Sequence, residues 1–362
     1  MKIMFVLGSM GKGGAERVIA NLSNNFIQKY QVTIVTTRSC ESMYKLDDRI
    51  NVLLLDQGKK KKSLIFRTLK RIFRLRKIIK TENPDIIVSL LPEPTFRAMI
   101  AKAFLHKKTI ISVRNDPNRE YNSLIKKILV KVLYTRADGF IFQTDDAKKW
   151  FSKKIQNKST IIPNPINEDF ICTPYNGKRE KTIVNVGRLS DQKNQQLLIE
   201  AFAEVHKKHS DYILKIYGDG VLKPELEDLI SKLNISEGVK LMGETNNVKG
   251  EIQKAGIFVL SSNYEGMPNA LIEAMALGIP CISTDCPCGG PKFLFDNEKR
   301  GLLFPVGDKE SLIKSIELLI NNSDKAKELS IEGRKIVDVL NPTTISNKWE
   351  EYILRIKRGD DK

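Results

Sequence analysis

The stretch Asn263-Tyr264-Glu265-Gly266-Met267-Pro268-Asn269-Ala270-Leu271-Ile272-Glu273-Ala274-Met275-Ala276 follows an apolar run, Gly256 to Ser261, that reads as a buried strand. Pro268 suits the first turn of a helix, where a missing N–H costs nothing. Glu265 is therefore expected at the carboxyl end of a strand. The backbone N–H groups of Gly266, Met267, Asn269 and Ala270 are expected at a helix start, a natural surface for anions and hydroxyls. Glu273 falls about a turn and a half into that helix, placed to accept hydrogen bonds from a diol. A capped surface helix with two solvated acids would read the same on spacing alone.

Outward from this segment, apolar runs alternate with helical patterns along nearly all 362 residues, the signature of parallel α/β sheets. In the first half, strands are expected at 2–7, 31–36, 51–55, 85–90, 109–113, 139–143 and 160–162. In the second half they are expected at 182–186, 212–216, 240–242, 256–260 and 279–284. Such a length fits two domains of comparable size. The Pro-, Asn- and Gly-rich stretch from Pro163 to Lys178 has no period and reads as a linker. Two doubly wound domains would leave a cleft between facing carboxyl strand ends, where ligands bind in such sheets.

The net charge of +17 is unevenly placed. Residues 1–170 hold 33 Lys+Arg against 15 Asp+Glu, whereas the remainder is nearly neutral. Eleven of these cations (Lys59, Lys60, Lys61, Lys62, Arg67, Lys70, Arg71, Arg74, Arg76, Lys77, Lys80) fall within residues 59–80 without one acid. Leu64, Ile65, Phe66, Leu69, Ile72, Phe73 and Ile79 recur there at helical spacing. A basic amphipathic helix suits an anionic membrane surface, although its apolar stripe could equally pack on a sheet. No apolar run reaches the roughly 18–20 residues that span a bilayer, and Met1 to Gly8 reads as a first strand and not a leader. The five cysteines (Cys40, Cys172, Cys281, Cys286, Cys288) lack scaffold or zinc spacing, which suggests reduced thiols in a cytoplasmic setting. His106, His206 and His209 read as surface residues, and no metal-ligand cluster is visible.

Several strand-to-helix loops carry candidate chemistry. Gly8-Ser9-Met10-Gly11-Lys12-Gly13-Gly14 lets backbone approach a phosphate, but it is neither a nucleotide P-loop nor a dinucleotide fingerprint. Asn185-Val186-Gly187-Arg188-Leu189-Ser190-Asp191-Gln192-Lys193-Asn194 offers a guanidinium fork and an ammonium where a diphosphate would lie. Gly218, in Tyr217-Gly218-Asp219-Gly220, and Thr245, in Gly243-Glu244-Thr245-Asn246-Asn247, belong to two further loops that could wrap a base or ribose. Glu93, in a Leu91-Pro92-Glu93-Pro94 turn, and Arg114 with Asn115, after another strand, are expected to face the cleft.

Taken in order, Gly13-Gly14-Ala15-Glu16-Arg17, Gly187-Arg188-Leu189 with Lys193-Asn194, Tyr217-Gly218-Asp219-Gly220 and the Glu265 to Ala276 segment resemble the family-4 retaining glycosyltransferases of GT-B architecture. The resemblance covers essentially the whole chain. It implies a Rossmann-like acceptor-binding, membrane-facing domain over 1–165, a linker at 166–180 and a Rossmann-like nucleotide-sugar domain over 181–340. A terminal helix within 341–362 would return to the first domain. Arg188 and Lys193 would neutralise the donor diphosphate, and Glu273 would hold the ribose diol. Glu265 would orient the sugar hydroxyls, and Gly13 and Gly14 would approach the phosphate. Glu93, Arg114 and Asn115 would lie on the acceptor side.

The resemblance further implies transfer of a hexose or N-acetylhexosamine, with UDP as the first expectation for the nucleotide, to a lipid-linked saccharide. The setting would be surface polysaccharide synthesis on the inner face of the cell membrane, with no metal and no cofactor beyond the donor. One departure stands out: many relatives carry a His where this chain has Ser112-Val113-Arg114-Asn115. A nucleotide-sugar epimerase of the same architecture and a nucleic-acid-binding protein are the competing readings.

Overall fold

The computed structural model describes residues 1–11, 13–38, 42, 44–56 and 63–360. Lys59 to Lys62 of the basic segment, and Cys40, lie outside the described residues. The chain forms two compact units, one of residues 1–165 with 343–362 and the other of residues 166–342.

Unit 1 begins with β1 (Lys2–Val6), α1 (Gly14–Phe26), β2 (Gln31–Thr36) and β3 (Asn51–Leu54). It continues through α2 (Leu64–Glu82), β4 (Ile86–Leu90), α3 (Pro92–Ala101) and β5 (Lys108–Ser112). Next come α4 (Pro117–Glu120), α5 (Leu124–Leu133), β6 (Gly139–Phe142), α6 (Asp145–Lys149), α7 (Lys153–Asn157) and β7 (Ser159–Ile161). The strands are all parallel, in the order β3-β2-β1-β4-β5-β6-β7. Chain direction across the sheet therefore reverses between β1 and β4. Strand β4 is buried along its whole length, and β1 at every position but the first. Continuous apolar runs of this kind are what a sheet covered on both faces requires.

Unit 2 repeats the plan. It contains β8 (Thr182–Val186), α8 (Gln195–Lys208), β9 (Ile213–Tyr217), α9 (Lys223–Lys232), β10 (Val239–Gly243) and α10 (Val248–Ile252). After them come β11 (Ile257–Leu260), α11 (Asn269–Ala276), β12 (Cys281–Thr284), α12 (Gly290–Phe295) and β13 (Leu302–Phe304). Helices α13 (Lys309–Asn321), α14 (Ser323–Arg334) and α15 (Ile336–Val339) close the unit. Its six parallel strands run β10-β9-β8-β11-β12-β13, with the reversal between β8 and β11. That is the Rossmann order, and both sheets are doubly wound.

Two local readings change. Leu91-Pro92-Glu93-Pro94 is the start of α3 and not a free turn, because both prolines fall where helix N–H groups have no partner to lose. Strand β13 was not expected, since three residues between Gly301 and Pro305 show no period. The 166–180 stretch packs on unit 2: Phe170 is buried, and Arg334 Nη2 donates to Cys172 O at 2.5 Å.

The terminal helix α16 (Pro342–Arg358) belongs to unit 1. Trp349 and Ile353 are wholly buried. Tyr352 Oη donates to Lys158 O at 2.6 Å and accepts from Phe140 N at 2.8 Å, fastening the helix beside β6. Gly139 allows this approach, because a Cβ there would meet Tyr352 Oη at 2.6 Å. Truncation of Trp349 to Ala should cost unit 1 about 3–5 kcal/mol. Calorimetry of the Trp349→Ala variant should show the transition of one unit lowered and that of the other unmoved; an unchanged scan would show that the helix contributes nothing to the fold.

Candidate active site

In unit 2 the reversal of strand order brings the loops after β8 and β11 side by side, and hydrogen bonds lace them together. Asn263 N donates to Gln192 O at 2.8 Å, Asn263 Nδ2 to Asp191 O at 2.7 Å, and Ser261 Oγ to Lys193 O at 3.0 Å. Within this frame Lys193 Nζ contacts Glu265 Oε1 at 2.5 Å, and Ser262 Oγ donates to the same oxygen at 2.7 Å. Both bonds converge on Oε1, which leaves Oε2 as the acceptor not used by either. Glu265 is only 5 % exposed, so its charge is held by this pair of donors and little by water.

Arg188, on the same loop as Lys193, is exposed, and its guanidinium has no partner among the described residues. Its backbone is fixed instead: Arg188 O accepts from Gln195 Nε2 at 3.0 Å. The loop after β9 supports it from the other side. Gly218 sits at φ +134°, and a Cβ there would lie 2.1 Å from Gly187 O, so no other residue permits this approach. Thr245, after β10, is half-buried and its hydroxyl accepts from Asn247 N at 3.0 Å.

Gly266 and Met267 are buried, Asn269 and Ala270 half-buried, and Leu271 is wholly buried. They form the entry to α11, whose start carries no side-chain cap. Gly290 of α12 lets Gly266 approach, since its Cβ would lie 1.9 Å from Gly266 O. Glu273 follows in α11, 7 % exposed. Cys286 lies by the Glu265 carboxylate. Burial, reinforced by the Glu265 charge, pushes its thiol up to about 12, so it stays protonated and is no nucleophile. Among the described residues no group of three His, Cys, Asp or Glu could hold a metal ion.

The acceptor-side expectations divide. Glu93 lies in the first turn of α3 and lines a cavity of about 400 Å³ with Arg38, Arg71, Arg97, Glu120 and Lys126. Arg114 does not face an open rim. It is 8 % exposed, its Nη1 donates to Asn164 Oδ1 at 2.9 Å, and its guanidinium lies 5.1 Å from the centroid of the Trp349 ring. Burial lowers it to about 9. Its place is therefore under α16, and Asn115 beside it is half-buried. Gly14 opens α1 with Gly13 as its cap residue. No local pattern marks Ser262, which bonds Glu265 through the loop conformation, or Arg97 and Glu120, whose surroundings come from distant segments.

Helix α2 exposes Ile65, Phe66, Leu69 and Phe73, and α5 exposes Leu124, Ile125, Ile128 and Val132. The apolar face of α5 was not anticipated. Among the described residues no helix is long and apolar enough to cross a membrane.

Residues 12–170 match the model of the Glycosyltransferase Family 4 domain, and residues 174–336 that of the glycosyl transferases group 1. An uncharacterized glycosyltransferase of Methanocaldococcus jannaschii is 35 % identical over 273 residues, 68 % of this chain and 67 % of that one. The chain belongs to the family-4 glycosyltransferases of GT-B architecture. This glycosyltransferase is also 29 % identical, over 99 % of its length and 100 % of the other's, to a Campylobacter jejuni enzyme. That relative is named as the α-1,4-N-acetyl-D-galactosaminyltransferase of GalNAc-α-(1→4)-GalNAc-α-(1→3)-diNAcBac-PP-undecaprenol. In fold the glycosyltransferase matches Anabaena HepE, solved with UDP, at a TM-score of 0.80 and 17 % identity, over 98 % of this chain and 99 % of that one.

One titration in the glycosyltransferase can be checked directly. Burial raises the Glu120 carboxyl to about 7, with Asp116 adding to the rise and Lys126 opposing it. Between its ordinary value of 4.5 and about 7 the folded protein binds more protons than the unfolded chain, so stability falls as pH rises through that window. Glu120→Gln should raise the thermal midpoint at pH 8 and leave it unraised at pH 5. Equal shifts at the two pH values would mean that Glu120 titrates as an ordinary surface acid.

Proposed function

We propose that the protein is a retaining, metal-independent glycosyltransferase moving a hexose or N-acetylhexosamine from UDP to a lipid-linked saccharide. The observation that carries this reading is the Lys193–Glu265–Ser262 cluster beside an exposed, unpaired Arg188 at the strand reversal of unit 2. The full-length likeness to a transferase acting on a diphospho-undecaprenol-linked saccharide supports the acceptor class. The UDP seen with HepE supports the nucleotide. The first expectation for its setting is surface polysaccharide synthesis.

In this reading Arg188 meets the diphosphate with its free fork. Lys193, with three donors, keeps Glu265 while reaching a phosphate oxygen. The N–H groups of Gly266, Met267, Asn269, Ala270 and Leu271 at the entry to α11 complete the anion cradle. Glu265 Oε2 accepts a sugar hydroxyl, and Glu273 accepts the ribose diol. Gly218 and Thr245 lie in loops that would flank the nucleoside.

The acceptor hydroxyl attacks the anomeric carbon on the face from which the diphosphate departs. The carbon–oxygen bond to the diphosphate breaks, its electron pair stays with UDP, and the departing phosphate oxygen takes the acceptor proton. No protein base is needed, which fits the absence of a His from Ser112-Val113-Arg114-Asn115. What the protein must supply is stabilisation of the charge growing on the leaving group, and the two cations do so without a divalent ion. Acceptor binding falls to unit 1, where Glu93 lines a cavity. The exposed apolar faces of α2 and α5, flanked by Lys70, Arg74, Lys77, Lys127 and Lys131, suit a peripheral place on an anionic membrane.

Arg188→Ala should lower kcat by about 10²–10³, the cost of removing one charged donor from a developing oxyanion; a loss below about tenfold would remove Arg188 from the mechanism. Activity in excess chelator should be full, and nuclear magnetic resonance of the product should show the donor's anomeric configuration. Inversion, or restoration only by Mn²⁺ or Mg²⁺, would overturn the reading. Conversion of UDP-sugar without acceptor would favour an epimerase.

Flotation tests the membrane proposal. Liposomes containing anionic lipid should carry the protein upward at low salt, and Ile125→Glu with Ile128→Glu should weaken that. Failure of the parent protein to float would remove the membrane from the scheme.

A further inference from the structure

The cavity in unit 1 lies at the carboxyl ends of β1, β2 and β4, reached through Gly8 and Ser9, Thr37 and Arg38, and Leu91 and Pro92. This is the strand reversal of the first sheet, the counterpart of the place where unit 2 carries its cluster. Its most unusual component is Arg97, on α3, which is 7 % exposed. Nη1 donates to Thr37 Oγ1 at 2.7 Å, and that is its one side-chain hydrogen bond among the described residues. Nε is buried without a partner, and among the described residues no carboxylate lies within ion-pair distance. Glu93, one helical turn earlier, exerts only a longer-range attraction. A guanidinium withdrawn from water without a counter-ion is a costly arrangement. It is tolerated where a ligand supplies the missing charge.

The surrounding charges favour an anion and still provide for hydroxyls. Arg38 is exposed, Lys126 lines the opposite wall on α5, and Arg71 has its own counter-ion in Asp56. Arg97 is thus the buried cation left to pair. Glu16, Glu93 and Glu120 line the same space, and Glu120 Oε2 is buried without a partner. A forked donor beside three carboxyl groups suits a ligand that is both anionic and polyhydroxylated. A volume of about 400 Å³ is within the usual range for a small-molecule site.

We propose that this cavity is an acceptor subsite taking a sugar unit that bears an oxyanion, with Arg97 as its anchor. The oxyanion is a carboxylate on the acceptor glycan or a phosphate joining that glycan to its carrier. Arg97 meets it by two parallel hydrogen bonds, and Glu93 and Glu120 receive the neighbouring hydroxyls. This rests on the glycosyltransferase reading above and adds the chemical class of the acceptor.

The test uses the full-length protein with its donor site saturated by UDP, with thermal shift and titration calorimetry against glucuronate, inorganic phosphate, inorganic diphosphate and glucose. At least one anion should bind and raise the thermal midpoint, and glucose should not. Glucuronate acting alone assigns the oxyanion to the glycan; phosphate or diphosphate acting alone assigns it to the carrier linkage. Arg97→Lys should weaken anion binding about ten- to hundredfold by losing the fork. Arg97→Met should abolish binding while its own midpoint stays at or above that of the parent, since an unpaired buried charge has been removed. Anion binding unchanged in Arg97→Met, no anion binding in the parent, or a lower midpoint in Arg97→Met would each overturn the proposal. UDP-sugar binding, measured on the same proteins without UDP or added anion, separates the two readings. Its loss in the parent with anion binding intact would sink the donor assignment alone, and its retention with no anion binding would sink the subsite alone.

Discussion

Lys193 and Glu265 are 72 positions apart, and they meet because β8 and β11 are neighbours at the point where strand order reverses. A parallel sheet wound outward in both directions must leave two adjacent strands whose following loops depart to opposite sides. In unit 2 those loops are held against each other by Asn263, Ser261 and Gln192, and the ion pair closes over them. The rest of the site depends on that closure. It fixes the carboxylate from one side and leaves Oε2 as an acceptor. It also keeps Arg188 as the loop's unpaired cation, displayed at the edge. Because Glu265 is nearly excluded from water, moving Lys193 would leave a buried anion with only a hydroxyl donor.

Much of the fold was legible because fully covered parallel strands must be apolar along their whole length, as in β4 and β11. The places that resisted are those where a local signal has two physical meanings. Pro92 and Pro94 read as a turn, yet a helix accepts proline in its first turn for the same reason, the absence of a needed N–H. Strand β13 has three residues, too few for any period to appear. The placement of Gly187, Arg188, Lys193 and Glu265 in unit 2 was legible because they sit in loops that follow strands, where backbone geometry decides which rim they occupy. Ser262 was invisible for the opposite reason: its contribution is one hydrogen bond to a residue three positions away, in a loop conformation that spacing does not encode.

Arg114 shows how a partner remote in sequence can reverse a local inference. Placed after β5, it looked like a rim residue, and the rule that put Arg188 on the rim was applied equally to it. The difference lies in Trp349, which arrives from the end of the chain on α16 and covers the guanidinium at 5.1 Å. No pattern near residue 114 encodes that contact. The attraction of a cation to an indole face, with the Asn164 acceptor, gives the buried charge part of what it loses on leaving water.

The three arginines together give a criterion that sequence alone could not. Arg188 is exposed and free, so water carries its charge and a ligand gains from it only by displacing that water. Arg114 is buried with a ring and an amide beside it, its Nε and Nη2 have no hydrogen-bond partner among the described residues, and Trp349 of α16 covers it. Arg97 is buried like Arg114 but has a single hydroxyl for company. Desolvation lowers its affinity for its proton, and the nearby Arg71 charge acts in the same direction. Burial without compensation is the arrangement least favourable to the empty protein and most responsive to an incoming anion. By that criterion Arg97, which lines a cavity at the strand reversal of unit 1, is the buried guanidinium placed to meet an anion, and Arg188 is its water-exposed counterpart in unit 2.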